Sequence, residues 1–153
     1  MNNIFEVLRY SLIGLGIFLA IYSGGSAAAQ FHTLFLFIVI PLAGFTGIES
    51  LFFSGKAAIA SGYGSGSAYQ RQSGMNNLAV AITAVVVFIF NWGVLAEVSI
   101  MLVMLIFLTM SGVNHLYSAI KENNKIARSY MRPVMTILLD ICVIYFLVNA
   151  LSA

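Results

Sequence analysis

The run Pro133-Val134-Met135-Thr136-Ile137-Leu138-Leu139-Asp140-Ile141-Cys142-Val143-Ile144-Tyr145-Phe146-Leu147-Val148-Asn149-Ala150-Leu151 is apolar almost throughout and carries one carboxylate near its centre. A helix of about 20 such residues crosses about 30 Å of hydrocarbon, so the run predicts a membrane span. An aspartate at a helix centre costs about 2.5 to 3.5 kcal/mol on insertion scales. Asp140 therefore calls for a partner, a water-filled cavity or a task.

Working outward, similar runs cover Ile4 to Tyr22, Phe31 to Phe53, Ser73 to Phe90 and Leu95 to Ile120, and the last extends from Met131 to Leu151. The chain of 153 residues is 61% hydrophobic and 8% charged, and its mean hydropathy is +0.99. That exceeds what a soluble domain of this length can bury. The expected fold is all-α, an integral membrane helical bundle of five transmembrane helices forming a single multi-pass domain over residues 1–153. No length remains for a separate soluble catalytic module. The single cysteine, Cys142, excludes an internal disulfide and a cysteine-based metal site.

Asn91-Trp92-Gly93 punctuates the third and fourth runs, predicting an antiparallel hairpin with Trp92 at the lipid interface. Pro133, at the start of the fifth run, stands where a helix tolerates proline. Pro41, inside the second, predicts a kink with the freed carbonyl satisfied by neighbouring helices.

All seven basic residues, Arg9, Lys56, Arg71, Lys121, Lys125, Arg128 and Arg132, fall on one side of a five-span arrangement. The connections assigned to the other side, Ser23 to Gln30 and Asn91 to Leu95, contain none. The positive-inside rule then puts the N-terminus in the cytoplasm and the C-terminus outside, in a cell (inner) membrane. A rival is a signal peptide, because residues 12–22 precede Ser23-Gly24-Gly25-Ser26-Ala27-Ala28-Ala29, an A-x-A pattern. Cleavage before Gln30 would leave four spans in the same orientation. Glu6 beside Arg9 and a start at Met1 favour five.

Orientation fixes the depth of each polar residue. Glu49 lies about four or five residues from the cytoplasmic end of the second run, His115 about five to seven from that of the fourth, and Asp140 about seven beyond Pro133. Asn76 and Asn77 open the third run from the same side. Ser111, Asn114, His115 and Ser118 share one face of the fourth helix, Thr136 and Asp140 one face of the fifth, and Thr46 and Glu49 one face of the second. Such faces turn inward and bond one another. The candidate site is a polar cluster of Glu49, Asn77, Asn114, His115 and Asp140, capped by a loop containing Tyr69, Gln70 and Gln72. The segment Gly55 to Leu78 is Gly- and Ser-rich, with a short amphipathic piece expected at Lys56 to Ser61.

Gly66-Ser67-Ala68-Tyr69-Gln70-Arg71-Gln72-Ser73-Gly74-Met75-Asn76-Asn77-Leu78 resembles the G-S-P-F-Q-x-E-x-G-x-A-N-L pattern of an uncharacterised family, a domain of unknown function, of small multi-pass bacterial and archaeal membrane proteins. Phe31-His32, Gly44 and Gly47, Gly112 with His115, and Asp140 fit the same pattern over about residues 31–150. The chain departs from it at Glu49, where the family shows histidine, at Gln72, where it shows glutamate, and at Ala68, where it shows proline. The resemblance implies a multi-pass membrane fold and no established activity.

Each polar residue also has a structural reading. Asp140 can be protonated or paired with His115 as glue between helices, and Glu49 can reach head groups or Lys56. His32, at the opposite face from His115, rules out a bis-histidine haem at one level. A divalent-metal set of Glu49, His115 and Asp140 lacks a spacing signature. No cofactor is expected. Lys121, Lys125, Arg128 and Arg132 suit anionic lipids of the bilayer. The net charge of +2 is accounted for by the inside loops, which disfavours nucleic acid.

Three functions fit. The first is a pathway for protons, cations or a small polar solute, with Asp140, Glu49 and His115 exchanging charge. The second is a non-catalytic subunit or assembly factor of a larger membrane complex, or a homo-oligomer, joined through small residues such as Gly14, Gly16, Gly44 and Gly47. An enzyme acting on a lipid or quinone ranks last, because no nucleophile, dinucleotide or metal motif is present.

Overall fold

The computed structural model describes residues 2–53, 55, 68–122 and 126–152, and each apolar run is helical in it. Helix α1 covers Asn2–Tyr22 and α2 covers Ala27–Val39. A π-helical turn at Ile40–Gly44 carries α2 directly into α3, Phe45–Phe52. Helices α4, α5 and α6 cover Ala68–Ile89, Val94–Lys121 and Ala127–Ser152. With α2, the π turn and α3 counted as one span, five helices of 19 to 28 residues among the described residues are long and apolar enough to cross a membrane. The described residues contain no strand. In hydrocarbon a helix satisfies its backbone internally, which is why runs of this composition adopt it. The protein is an integral membrane helical bundle, with five spanning helices among the described residues.

The short connections behave as their residues dictate. Ser26 caps α2, its Oγ accepting from Ala29 N at 3.3 Å. Asn91 at φ 48° and Gly93 at φ 89° turn the chain between α4 and α5, and Trp92 is exposed at this hairpin.

At Pro41 the missing N–H and the ring's conflict with the Phe37 carbonyl open the helix into the π turn, so the span stays continuous while its register shifts. Pro133 differs from expectation. Helix α6 begins at Ala127, so Pro133 is interior to it and leaves the Ser129 carbonyl without its helical donor. Helix α4 likewise starts five residues before Ser73, and Tyr69 to Gln72 form its first turn instead of a loop. Alanine, glutamine and arginine are strong helix formers, which extends α4 beyond its apolar part. The amphipathic piece expected at Lys56 to Ser61 lies outside the described residues.

The second span is the axis of the bundle. Phe31, Leu34, Phe35, Ile38 and Val39 of α2 are fully buried, joined by Met101 of α5 and Val143 of α6. Helix α1 packs along α2, the π turn and α3, whereas α6 packs on α2 and α5, and α4 on α3, the π turn and α5. A Cβ on Gly47 would stand 2.6 Å from Leu78 Cγ, so glycine there is what brings α3 against α4. Helix α1 thus lies along the second span on one side of a groove whose other wall is α5 with α6.

Candidate functional site

That groove holds a cavity of about 320 Å³, and each of its walls changes character along its length. Residues at one end of the bundle, here called the basic end, come from the starts of α1, α4 and α6 and the ends of α3 and α5. On α1 the lining passes from Arg9 and Tyr10 at this end to Ile13 and Ile17. On the second span it passes from Glu49 and Thr46 to Ala43 and Leu42, and on α5 from His115 and Ser111 to Leu108 and Met104. On α6 it passes from Arg132 and Thr136 to Leu139 and Cys142. Ten residues of helix separate Arg132 from Cys142, so the polar-to-apolar gradient extends about 15 Å. Tyr10, Phe107, Met135 and Leu138 line the cavity and are exposed as well, so it opens sideways on the surface that lipid covers.

The polar end is built from one ion pair and one arginine–histidine hydrogen bond. Arg9 Nη2 donates to Glu49 Oε2 at 3.4 Å, with both side chains largely buried, 9% and 13% exposed. Arg9 Nε is buried and has no partner among the described residues. Arg132 Nη1 donates to His115 Nε2 at 2.8 Å. Accepting through Nε2 places the imidazole proton on Nδ1. Asn77 is buried and donates through Nδ2 to Ser73 O at 2.9 Å.

Of the residues singled out by sequence, Glu49, Asn77 and His115 meet in this cavity. Asn114 is exposed on α5, Gln72 is exposed and Gln70 half-buried. Asp140 is half-buried and does not line the cavity. Thr109 Oγ1 lies 2.8 Å from Asp140 Oδ2 and 2.9 Å from Leu105 O, so its one proton serves both. Asp140 Oδ1 is buried with no partner among the described residues. Thr109 and His115 are six positions apart on α5, hence about 120° apart around it, which puts Asp140 and His115 on different flanks of the α5–α6 seam. His115 is paired with Arg132 in place of the expected Asp140, and Glu49 is paired with Arg9, while Lys56 lies outside the described residues. No three His, Cys, Asp or Glu side chains gather as a metal site among the described residues.

By sequence Arg9 reads as a marker of orientation, and Arg132 as a marker of orientation and a contact for anionic lipids. The signal for a further role lay in their spacing: Arg9, Ile13 and Ile17, like Arg132 and Thr136, recur every four residues on one helix face. The opposite end holds a second pair, His32 Nδ1 with Glu97 Oε1, in which Glu97 is 2% exposed and the imidazole stacks on Phe88 at 4.8 Å. Fully buried Ile38, Met101 and Val143 form part of the apolar core between the two polar ends.

A family model matches residues 5–152, from α1 to α6. The chain belongs to DUF6790, a family of unknown function. The DUF6790 match includes α1, which the resemblance noted from sequence did not cover, and so takes in Arg9 as well as Glu49, His115 and Arg132. No curated protein and no solved structure matches the chain.

Proposed function

We propose that this protein binds an amphiphilic molecule drawn sideways from the bilayer, its chain in the apolar part of the groove and its head at the basic end. The observation that carries this reading is the shared gradient of α1, the second span, α5 and α6, each polar at the same end and apolar further in. Ligand sites are mostly apolar clefts with a few convergent polar groups, and this groove has that character. The exposed rim of Tyr10, Phe107 and Leu138 supports entry from lipid.

A proton or cation pathway draws less support from the same geometry. Two guanidiniums face one carboxylate in the cavity, which repels cations. Among the described residues, the apolar core beyond it offers no continuous row of polar groups toward His32 and Glu97. The alignment of Arg9, Arg71, Lys121 and Arg132 at one end favours an inner-membrane protein with that end in the cytoplasm.

A single-chain amphiphile with a photoactivatable group at its chain terminus tests the groove. Adducts concentrated on Met104, Leu108, Leu139 and Cys142 are expected. Adducts confined to outward residues such as Ile141 and Ile144 would overturn the reading.

A further inference from the structure

The charge at the head of the groove narrows the class of ligand, an inference that rests on the amphiphile reading above. Arg9 and Arg132 line the same cavity as Glu49, so two permanent positive charges meet one carboxylate. Counted over the lining side chains alone, the formal charge is an excess of one positive, and Glu49 is already bonded to Arg9. Removed from bulk water, such an excess attracts an anion far more strongly than it would at an exposed surface.

Arg9 supplies an independent observation. The residue is 8% exposed, it lines the cavity, and its Nε has no partner among the described residues. A buried donor left unsatisfied costs about 1 to 3 kcal/mol. Guanidinium groups present a planar fork matched to carboxylate and phosphate oxygens. Thr46, Ser111 and Thr136, one turn further in on three different walls, offer hydroxyls at the junction between head and chain.

We infer that the groove selects an amphiphile whose head carries one negative charge on oxygen, a carboxylate or a phosphodiester, held between Arg9 and Arg132. One such charge balances two guanidiniums and one carboxylate. A quaternary ammonium head meets like charge, and an uncharged head leaves the excess positive charge unanswered. The hydrocarbon chain runs past Ile13, Leu108 and Leu139, so a soluble anion lacking a chain gains only the polar half of the site.

The test measures affinity of the full-length protein in uncharged detergent for four amphiphiles of equal chain length, with carboxylate, phosphodiester, alcohol or trimethylammonium heads, and for acetate. The carboxylate, the phosphodiester or both should bind at least about tenfold more tightly than the alcohol, with the ammonium compound and acetate weakest. Comparing the two anionic heads separates a fatty-acid-like ligand from a phospholipid-like one. Arg132→Gln should reduce the anionic preference to within about twofold, while Arg132→Lys, which keeps the charge, should retain part of it. Because Arg9→Gln alone strands Glu49, the double variant Arg9→Gln/Glu49→Leu shows whether Arg9 contributes, and it should also lose preference. Equal affinity for the carboxylate, phosphodiester and alcohol compounds, or an unchanged preference in Arg132→Gln, overturns this inference. If photoadducts still fall on Met104 and Cys142 in that case, the groove reading survives it. Adducts absent from the groove remove both.

Discussion

Arg132 Nη1 donates to His115 Nε2 at 2.8 Å, tying α6 to α5 beside the polar end of the groove. Gly112 lies one turn along α5, where an added Cβ would touch Pro133 Cα at 3.5 Å, so the two helices are close at this level. A double-mutant cycle of His115→Ala and Arg132→Ala should show a coupling of about 0.5 to 2 kcal/mol, the range of interhelical hydrogen bonds in membranes. The measurement is reversible unfolding in mixed micelles. Strict additivity would mean that the two side chains do not support each other.

The ion pair of Arg9 and Glu49, 3.4 Å apart and shielded by α1 and α3, makes a different prediction. Removing one member of a buried pair leaves an uncompensated charge and costs about 3 to 5 kcal/mol, whereas replacing both with apolar residues is often neutral. Glu49→Leu should therefore lower the melting temperature sharply, and Arg9→Met/Glu49→Leu should recover most of the loss. A double variant as unstable as the single one would refute this account of the pair.

Much of this architecture was legible in the sequence because hydrocarbon imposes helix length directly. The five runs match the spans, and Pro41 announced the irregularity in the second. Helix α4 was placed too late because Ala68 to Gln72 is polar and follows a Gly-rich stretch, while its helix propensity is high. The site was legible only in one dimension. Depth follows from counting residues, and Glu49, Asn77 and His115 do line one cavity, but depth does not determine which side of a neighbouring helix a residue faces. Asp140 lies deeper, near the middle of α6 and level with Leu139 and Cys142, because α6 starts six residues before Pro133, and it pairs with Thr109 across a different flank. Arg9 and Arg132 already had an explanation as topology signals, which hid their position in the groove.

Glycine tolerance should follow the local spacing. At Gly47 a Cβ would stand 2.6 Å from Leu78 Cγ and 3.0 Å from Gly74 O, while at Gly14 nothing lies within 4 Å. Gly47→Ala should destabilise by about 1 to 3 kcal/mol through overpacking of α3 on α4. Gly14→Ala should be neutral or stabilising by up to about 1 kcal/mol, because alanine is the better helix former. Thermal unfolding of both variants provides the comparison, and equal effects at the two positions would contradict the close packing of α3 on α4.

His32 and Glu97 join α2 to α5 at the end remote from the groove. Glu97 is 2% exposed and its Oε2 lacks a partner among the described residues, so His32 is the contact that makes its burial tolerable. His32→Ala should consequently destabilise the bundle more than His32→Ala/Glu97→Ala, which removes the buried carboxyl together with its partner. Because the apolar core lies between this pair and the groove, the double variant should keep its affinity for amphiphiles at the basic end within about twofold. Unfolding and binding measured on the same preparations separate the two effects. A loss of binding that accompanies retained stability would show that the ends of the bundle communicate through α2 and its π turn.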